Sequence, residues 1–323
     1  MTRMSNPHFC AITKFKVNRT SSSFFKTKKS VLLFEKIRLH VFTLVLFFGF
    51  NPYNYAQVTN VNTGNNYATI QAAIDDPLTL DGHVITIAAG TYPELVTVNK
   101  QLTFNGPQAN TNANTRFALF TNGVNGPKAD PTTEAIITPP TSNPLGGNPG
   151  ANDLFRILVD QVTINGIVID GNNPAIIGSS ILQTRTIDID ARRGVTNRDN
   201  SDISNPINNF IIEYCIIQNI AQRGISLSND GPVSIGNLIT ENIIRNFGSD
   251  PGNGGQAVIL FTNAYADITN NTIEVSTNNI GIHLQNFFSN GSMTWSGNNL
   301  TVGQDAIGMH TNLFYAPNAI VTI

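Results

Sequence analysis

Four short apolar segments recur at nearly constant spacing between residue 208 and the end of the chain. They start at residues 212, 239, 268 and 295, and in each of them apolar and polar residues alternate. A repeat of twenty to thirty residues with this alternation predicts a β-solenoid, in which each coil contacts mainly its two neighbours. The segments are residues 212–217, 239–244, 268–273 and 295–300.

A second apolar pair follows each segment and predicts a further strand in every coil. This alignment matches His310 with Gln285 rather than with His283, so the two histidines are expected on neighbouring columns and at the protein surface. The aligned pairs are Ile225/Leu227, Val258/Leu260, Ile282/Leu284 and Ile307/Met309.

An asparagine occupies one position of the repeat in three consecutive coils. Asn242, Asn271 and Asn298 align, and Cys215 takes the same position in the coil before them. Stacked asparagine side chains can hydrogen-bond to one another along the axis of a solenoid. We therefore predict that these asparagines form a structural ladder rather than a binding site.

The first 56 residues differ in composition from the rest. Residues 1–40 contain nine Lys or Arg and one acid, and an apolar run follows at 41–50. This run is too short to span a bilayer comfortably, and it follows a basic segment as in secretory signal peptides. We predict a basic leader and signal peptide over 1–56, cleavage near Gln57, no stable membrane span, and a secreted or cell-surface protein.

Charge and cysteine content limit the partners of the remaining chain. Residues 41–323 contain ten Lys or Arg against twenty acids, a formal charge of −10. An acidic body argues against nucleic acid as a partner and is compatible with cation binding. Cys215 is the only cysteine in this body, so its stability must come from a stacked apolar core rather than from disulfides.

Residues 68–107 resemble the opening coils of right-handed parallel β-helix proteins of the pectin lyase-like superfamily. The resemblance continues through residues 162–173 and the later repeats, so that it covers most of 67–323. It implies an all-β, right-handed parallel β-helix over 57–323. Residues 67–76 have helical periodicity, with Thr69 as N-cap, and predict a short N-terminal capping helix. Residues 107–153 are expected to form a long excursion, with a strand at 135–137.

Two stretches are similar to motifs of the pectinesterases within that superfamily. Residues 90–94 (GTYPE) match a GxYxE stretch, and residues 256–260 (QAVIL) resemble a stretch whose glutamine helps to bind an oxyanion. The sequence contains no counterpart of the stretches that carry the catalytic aspartates of that family. We therefore interpret both matches as structural elements of coils.

One charged cluster is a candidate for chemistry. If Ile187 and Ile189 point inward, the carboxylates of Asp188 and Asp190 lie about 7 Å apart on the outer face of a strand. Such a pair could hold Ca²⁺ or act as acid and base. Arg192 or Arg193 could neutralise a uronate or act as the base of a lyase. A solvated edge with local ion pairs is the structural alternative.

Aromatic residues follow the second strand in several coils. If the coils align them, they form a stripe on which sugar rings stack; otherwise they cover the corners of the coils. The candidates are Tyr265, Phe287, Phe288, Phe314 and Tyr315.

Three functions are consistent with these features, one of them a structural spacer in a larger surface protein. The first is an exported, non-catalytic surface or adhesive module that binds a polysaccharide or surface glycan. The second is a polysaccharide-processing enzyme, either a lyase that uses an arginine and Ca²⁺ or a pectinesterase-like hydrolase. Because residues 319–323 read as a strand without a cap, we also expect further C-terminal coils or domains.

Overall fold

The computed structural model describes residues 57–123, 126–144, 152–177, 188–198, 206–248, 255–285, 291–312 and 320–322. All of them belong to one compact unit, Asn54–Ile323. The leader and the predicted signal peptide lie outside the described residues.

The described residues form two short helices and twenty-six strands. The helices are α1 (Ile70–Asp75) and α2 (Ala113–Phe117). The strands are β1 (Val58–Asn60), β2 (Asn65–Tyr67), β3 (Val84–Ile87), β4 (Gly90–Pro93), β5 (Val96–Val98), β6 (Thr103–Asn105), β7 (Thr121–Gly123), β8 (Gly126–Lys128), β9 (Ala135–Thr138), β10 (Asp153–Ile157), β11 (Thr163–Asn165), β12 (Val168–Asp170), β13 (Arg193–Thr196), β14 (Ile211–Glu213), β15 (Ile216–Ile220), β16 (Arg223–Asn229), β17 (Leu238–Thr240), β18 (Ile243–Phe247), β19 (Gln256–Thr262), β20 (Asp267–Thr269), β21 (Thr272–Val275), β22 (Ile280–Gln285), β23 (Ser292–Ser296), β24 (Asn299–Val302), β25 (Ile307–Asn312) and β26 (Ile320–Thr322).

Successive strands of each coil belong to three different sheets, which we call A, B and C. Sheet A has the order β2-β1-β3-β6-β11-β14-β17-β20-β23-β26, sheet B the order β4-β9-β12-β15-β18-β21-β24, and sheet C the order β5-β10-β13-β16-β19-β22-β25. Neighbouring strands are parallel, except that β1 pairs antiparallel with β2 and β3. The predicted all-β parallel β-helix is confirmed.

The apolar residues of the repeat stack in register to form the core. Ile212, Ile239, Ile268 and Trp295 are direct partners on consecutive strands of sheet A, and each is at most 1% exposed. Burial of one such side chain contributes about 1.5–3 kcal/mol. The predicted alignment of the first strands is therefore confirmed, and the column continues along the axis of the solenoid.

A helix and an antiparallel hairpin close the N-terminal end of this core. Thr69 caps α1, since its side chain accepts a hydrogen bond from the backbone N–H of Ala72 at 3.1 Å. The buried face of the helix consists of Ile70, Ala73 and Ile74, as its periodicity predicted. The paired strands β1 and β2 cover the free edge of β3, so that sheet A does not end in an open parallel strand.

The strand predicted inside the long excursion is confirmed. Ala135–Thr138 is a full strand of sheet B, paired with β4 and β12, so the excursion splits into two parts on either side of it. The first part contains α2 and the β7–β8 hairpin. It is fixed by a buried ion pair between Arg116 Nε and Glu134 Oε1 at 3.1 Å. Phe117 and Phe120 pack with apolar side chains from sheet B.

The predicted alignment of β25 with β22 is wrong by two residues. Met309, not Ile307, pairs with Ile282, and Ile307 is 47% exposed. The same shift brings His310 opposite His283. The sequence IGIH at 280–283 and IGMH at 307–310 fixes this register through its glycine. A Cβ on Gly281 would lie 2.5 Å from the carbonyl oxygen of Gly308.

The asparagines of the repeat are joined by hydrogen bonds at the turn from sheet A to sheet B. Asn271 Oδ1 accepts from both the backbone N–H and the side-chain amide of Asn242, each at 3.0 Å. Asn298 Oδ1 accepts from the same two groups of Asn271, at 3.1 and 3.0 Å. The residue before this position is left-handed in each coil, with φ of 55° at Glu241 and 57° at Asn270. The side-chain amides therefore satisfy backbone groups that this turn would leave unpaired.

Candidate functional site

The outer face of sheet C gathers half of the basic residues of the body. Because Ile225, Val258 and Ile282 point into the core, the residues that follow them point outward. We define the outer face of sheet C as the outward side chains of β10, β13, β16, β19, β22 and β25, together with the residues flanking these strands. Its arginines are Arg156, Arg192, Arg193, Arg198 and Arg223.

A buried ionic cluster forms one end of this face. Asp153 Oδ2 lies 3.4 Å from Arg193 Nη1 and 3.6 Å from Arg156 Nη2. The side chains of Asp153 and Arg193 are fully buried. One buried carboxylate thus serves two guanidinium groups, and removal of either partner from such a cluster is strongly destabilising. We assign this part of the face to stability.

Next to it lies a half-buried aromatic ring between two arginines. The guanidinium carbons of Arg223 and Arg198 lie 4.8 and 5.2 Å from the ring centroid of Phe261. Arg223 Nε also donates to Gln256 Oε1 at 3.2 Å, and Arg192 Nε donates to Gln222 Oε1 at 3.0 Å. These contacts orient the guanidinium groups on the outer face of sheet C.

Two histidines continue the face toward the last coil. His283 and His310 are direct partners on β22 and β25, with ring centroids 4.7 Å apart. His310 is exposed, whereas His283 is only 7% exposed. Burial, together with the neighbouring His310 and Arg223, lowers the pKa of His283 to about 4. The expectation of two separate surface histidines is therefore wrong for His283.

The acidic pair predicted nearby has a different geometry. Asp188 and Asp190 precede β13 in a segment that is not a strand, so they do not share the outer face of one strand. Asp190 is fully buried, and its Oδ2 accepts a hydrogen bond from the backbone N–H of Asn173 at 3.0 Å. Asp188 is half-buried. Ca²⁺ binding and acid–base roles for this pair stay predictions.

The predicted arginines have separate roles. Arg193 is the first residue of β13 and belongs to the buried cluster, so a direct role for it as a base has no support in its position. Arg192 is half-buried beside Gln222 and stays a candidate for contact with a ligand. Prediction from the sequence missed Arg198, Arg223 and Phe261. Alternation from the core residue Leu260 predicts Phe261 on this face, whereas alternation from Ile225 gives no such signal for Arg223.

The predicted aromatic stripe is wrong at Tyr265. This side chain is 2% exposed and belongs to the apolar core, as the alternative of a corner residue predicted. It fits there because Gly291 lies against its ring; a Cβ on that glycine would be 2.7 Å from the ring. The other four candidates, Phe287, Phe288, Phe314 and Tyr315, lie outside the described residues.

Residues 90–94 have structural contacts that explain their sequence. The hydroxyl of Tyr92 donates to the carbonyl oxygen of Ala88 at 2.8 Å, and the ring is 2% exposed. The carboxylate of Glu94 accepts the first backbone N–H groups of α1, from Ile70 at 2.8 Å and Gln71 at 2.9 Å. Burial raises the pKa of Glu94, and these two donors oppose that rise. The stretch fastens the capping helix to its coil.

Two further polar sites lie away from sheet C. Asp170 is buried at the end of β12 and accepts from the side-chain amides of Gln218 and Asn219, both at 2.7 Å. Burial raises its pKa. A cavity of about 320 Å³ lies at the corner between sheets C and A, beside Ser234, Tyr265 and Asp267. At both places the polar groups are hydrogen-bonded to backbone or side-chain amide groups of an adjacent coil. We therefore interpret both as packing at the corners of coils.

Two absences hold for the described ranges. They contain no group of three or more His, Cys, Asp or Glu side chains that could hold a metal ion. Neither described helix is long and apolar enough to cross a bilayer.

Comparison with known proteins gives limited matches. No family model matches the chain. A stretch of 48 residues is 50% identical to a protein named "Cell surface glycoprotein" from Methanothermus fervidus; it covers 15% of this chain and 8% of that protein. Among solved structures, a pectin methylesterase in complex with a hexasaccharide matches 76% of this chain and 64% of its own, at 14% identity and a TM-score of 0.32.

Proposed function

We propose that this chain is an exported cell-surface β-helix module that binds an anionic glycan on the outer face of sheet C. The observation that carries the proposal is the arrangement of Arg198 and Arg223 about Phe261. Arginine presents a planar fork that matches carboxylate and sulfate groups, and an aromatic ring next to it gives a sugar an apolar surface.

The charge distribution supports an anionic rather than a neutral ligand. The body has a formal charge of −10. Among the described residues, the outer face of sheet C nevertheless contains five arginines, two of which, Arg156 and Arg193, pair with Asp153. A local positive region on an acidic protein steers anions to one face and keeps the rest of the surface unfavourable for them. The basic leader and the name of the similar Methanothermus glycoprotein support export to the cell surface.

Calorimetric titration with a panel of glycans tests this proposal. We expect polygalacturonate or a sulfated glycan to bind and neutral dextran not to bind. Because one charge-assisted hydrogen bond contributes about 1.5–3 kcal/mol, Arg223→Ala should weaken binding about tenfold to a hundredfold. Binding should also weaken as salt rises.

A matched control is available on another sheet. Arg245 also lies over an aromatic ring, with its guanidinium carbon 5.1 Å from the ring centroid of Phe117, but it belongs to sheet B. Arg245→Ala should leave binding unchanged. Equal losses in the two variants, or binding of neutral and anionic glycans alike, would contradict the proposal.

A polysaccharide lyase is the second candidate. The observation that favours it is that Arg192 follows Asp188 and Asp190 closely in the sequence and flanks a face rich in arginines. A lyase forms an unsaturated product that absorbs in the ultraviolet. Incubation of the full chain with the same acidic glycans, with and without Ca²⁺, distinguishes the candidates: product that Arg192→Ala abolishes supports the lyase, and binding without product supports the module.

A further inference from the structure

The two histidines on the outer face of sheet C have a geometry that a packing contact alone does not require. His283 and His310 stand directly opposite each other on adjacent parallel strands. Their rings are 4.7 Å apart between centroids and are tilted by 43° rather than stacked face to face. Two imidazoles placed in this way can direct one nitrogen each toward a common point between them.

The separation of the rings fits a shared metal ion. A metal–nitrogen bond of about 2.0–2.1 Å places each ring centroid roughly 3.2 Å from the ion. Two such rings have centroids about 4.5 Å apart at a right angle between the bonds and about 5.2 Å apart at the tetrahedral angle. The observed 4.7 Å lies between these two values.

The buried imidazole also lacks a partner for one of its nitrogens. Nδ1 of His283 is buried and has no hydrogen-bond partner among the described residues. A buried polar atom without a partner is costly, and a metal ion bound between the rings would relieve that cost. His310, the other ring of the pair, is exposed to solvent.

We propose that His283 and His310 form a two-imidazole site for a divalent transition-metal ion such as Zn²⁺, Ni²⁺ or Cu²⁺. Imidazole nitrogen suits these ions, whereas Ca²⁺ requires oxygen ligands. Water or an anion from solution would complete the coordination, because in the described ranges no third His, Cys, Asp or Glu joins the pair. A site with two protein ligands binds less tightly than the usual three- or four-ligand zinc sites.

The charged groups around the pair affect its affinity for a metal ion. The positive charge of Arg223 lowers the affinity for a bare cation and favours an anionic third ligand. Cys215 does not compete, since it is fully buried and burial raises its thiol pKa to about 11.

The test is calorimetric titration of the full chain with ZnCl₂ and with CaCl₂ at pH 7, in the absence of any glycan. We expect Zn²⁺ to bind, Ca²⁺ not to compete, and His310→Ala to weaken Zn²⁺ binding on the order of tenfold or more. The control His83→Ala should leave Zn²⁺ binding unchanged, because His83 belongs to the first coil, where its Nδ1 accepts from the backbone N–H of Leu80. Since His310 is exposed, its replacement is expected to leave the fold intact.

Electron paramagnetic resonance of the Cu²⁺-loaded chain gives a second, independent result. Hyperfine coupling to two nitrogens that falls to one in His310→Ala supports the site. Unchanged Zn²⁺ affinity or an unchanged Cu²⁺ spectrum in His310→Ala, or no Zn²⁺ binding to the parent chain, would overturn it. Since no glycan is present, failure here is separate from failure of the proposed glycan function.

Discussion

Replacement of Asn271 by alanine tests the structural role of the asparagine ladder most sharply. Asn271 is fully buried at the turn between β20 and β21. Its amide donates to the carbonyl oxygen of Ile239 at 2.9 Å and to Oδ1 of Asn298 at 3.0 Å, and its Oδ1 accepts two hydrogen bonds from Asn242. Alanine removes all of these contacts and adds none.

The expected cost follows from the groups left behind. Asn271→Ala leaves the backbone N–H and the side-chain amide of Asn242, and the carbonyl oxygen of Ile239, without this partner in a buried turn. The side-chain amide of Asn242 keeps the carbonyl oxygen of Ile212 as an acceptor, so two of these groups bear the full cost. Each buried group that loses its partner costs about 1–3 kcal/mol, so the variant should lose roughly 2–6 kcal/mol. At about 2 °C per kcal/mol for a chain of this size, the melting temperature should fall about 4–12 °C.

Thermal and urea unfolding, followed by far-UV circular dichroism and by fluorescence, measure this loss. Trp295 is the only tryptophan and is 1% exposed on β23, next to the ladder. Asn299→Ala is the control, because that residue is exposed one position beyond Asn298. A melting temperature of Asn271→Ala equal to that of the parent chain or of the control would refute the structural reading of the ladder.

Two further predictions concern the stability of sheet C. A Cβ on Gly224 would lie 2.6 Å from the carbonyl oxygen of Ala257 and 2.8 Å from Ile244 Cγ2, whereas one on Gly308 meets nothing closer than 3.4 Å. Gly224→Ala should therefore lower the free energy of unfolding by about 1–3 kcal/mol, and Gly308→Ala by much less; equal effects in urea titrations would contradict this. The depressed pKa of His283, about 4 against an ordinary 6.5, means that its contribution to stability is complete above pH 6.5 and is lost as the pH falls toward 4. His283→Gln should flatten the pH dependence of the melting temperature in that window, and an unchanged profile would count against a buried neutral imidazole.

The periodic part of the fold could be predicted because the regular spacing of apolar residues in the sequence indicates which side chains are buried. Ile212, Ile239 and Ile268 repeat at nearly equal spacing, and a parallel β-helix is the arrangement that buries such a column continuously. The capping helix could be predicted for the same reason: its apolar face and its N-cap are local signals. The helix depends on residues that are neighbours in the chain, and the stacked column depends on a single repeated spacing.

The site could be predicted only in part, because it depends on register and on contacts between distant segments. The sequence alignment of β25 was shifted by two residues, and this error separated His310 from His283. The glycines at 281 and 308 indicated the correct register. The segment before β13 has the alternation of a strand, but its backbone hydrogen bonds to other parts of the chain hold it in an irregular conformation. The backbone N–H of Asp190 donates to Gly171, and its carbonyl oxygen accepts from Asn143. Such long-range contacts leave no periodic trace in the sequence.

Arginine-specific footprinting tests the central claim, that an anionic glycan binds on the outer face of sheet C. Phenylglyoxal modification of the full chain, read by mass spectrometry, is compared with and without saturating oligogalacturonate. We predict slower modification of Arg198 and Arg223 in the presence of the glycan and an unchanged rate at Arg245 on sheet B. Equal protection of Arg245, or no protection of Arg198 and Arg223 at a glycan concentration that calorimetry shows to be saturating, would contradict the account.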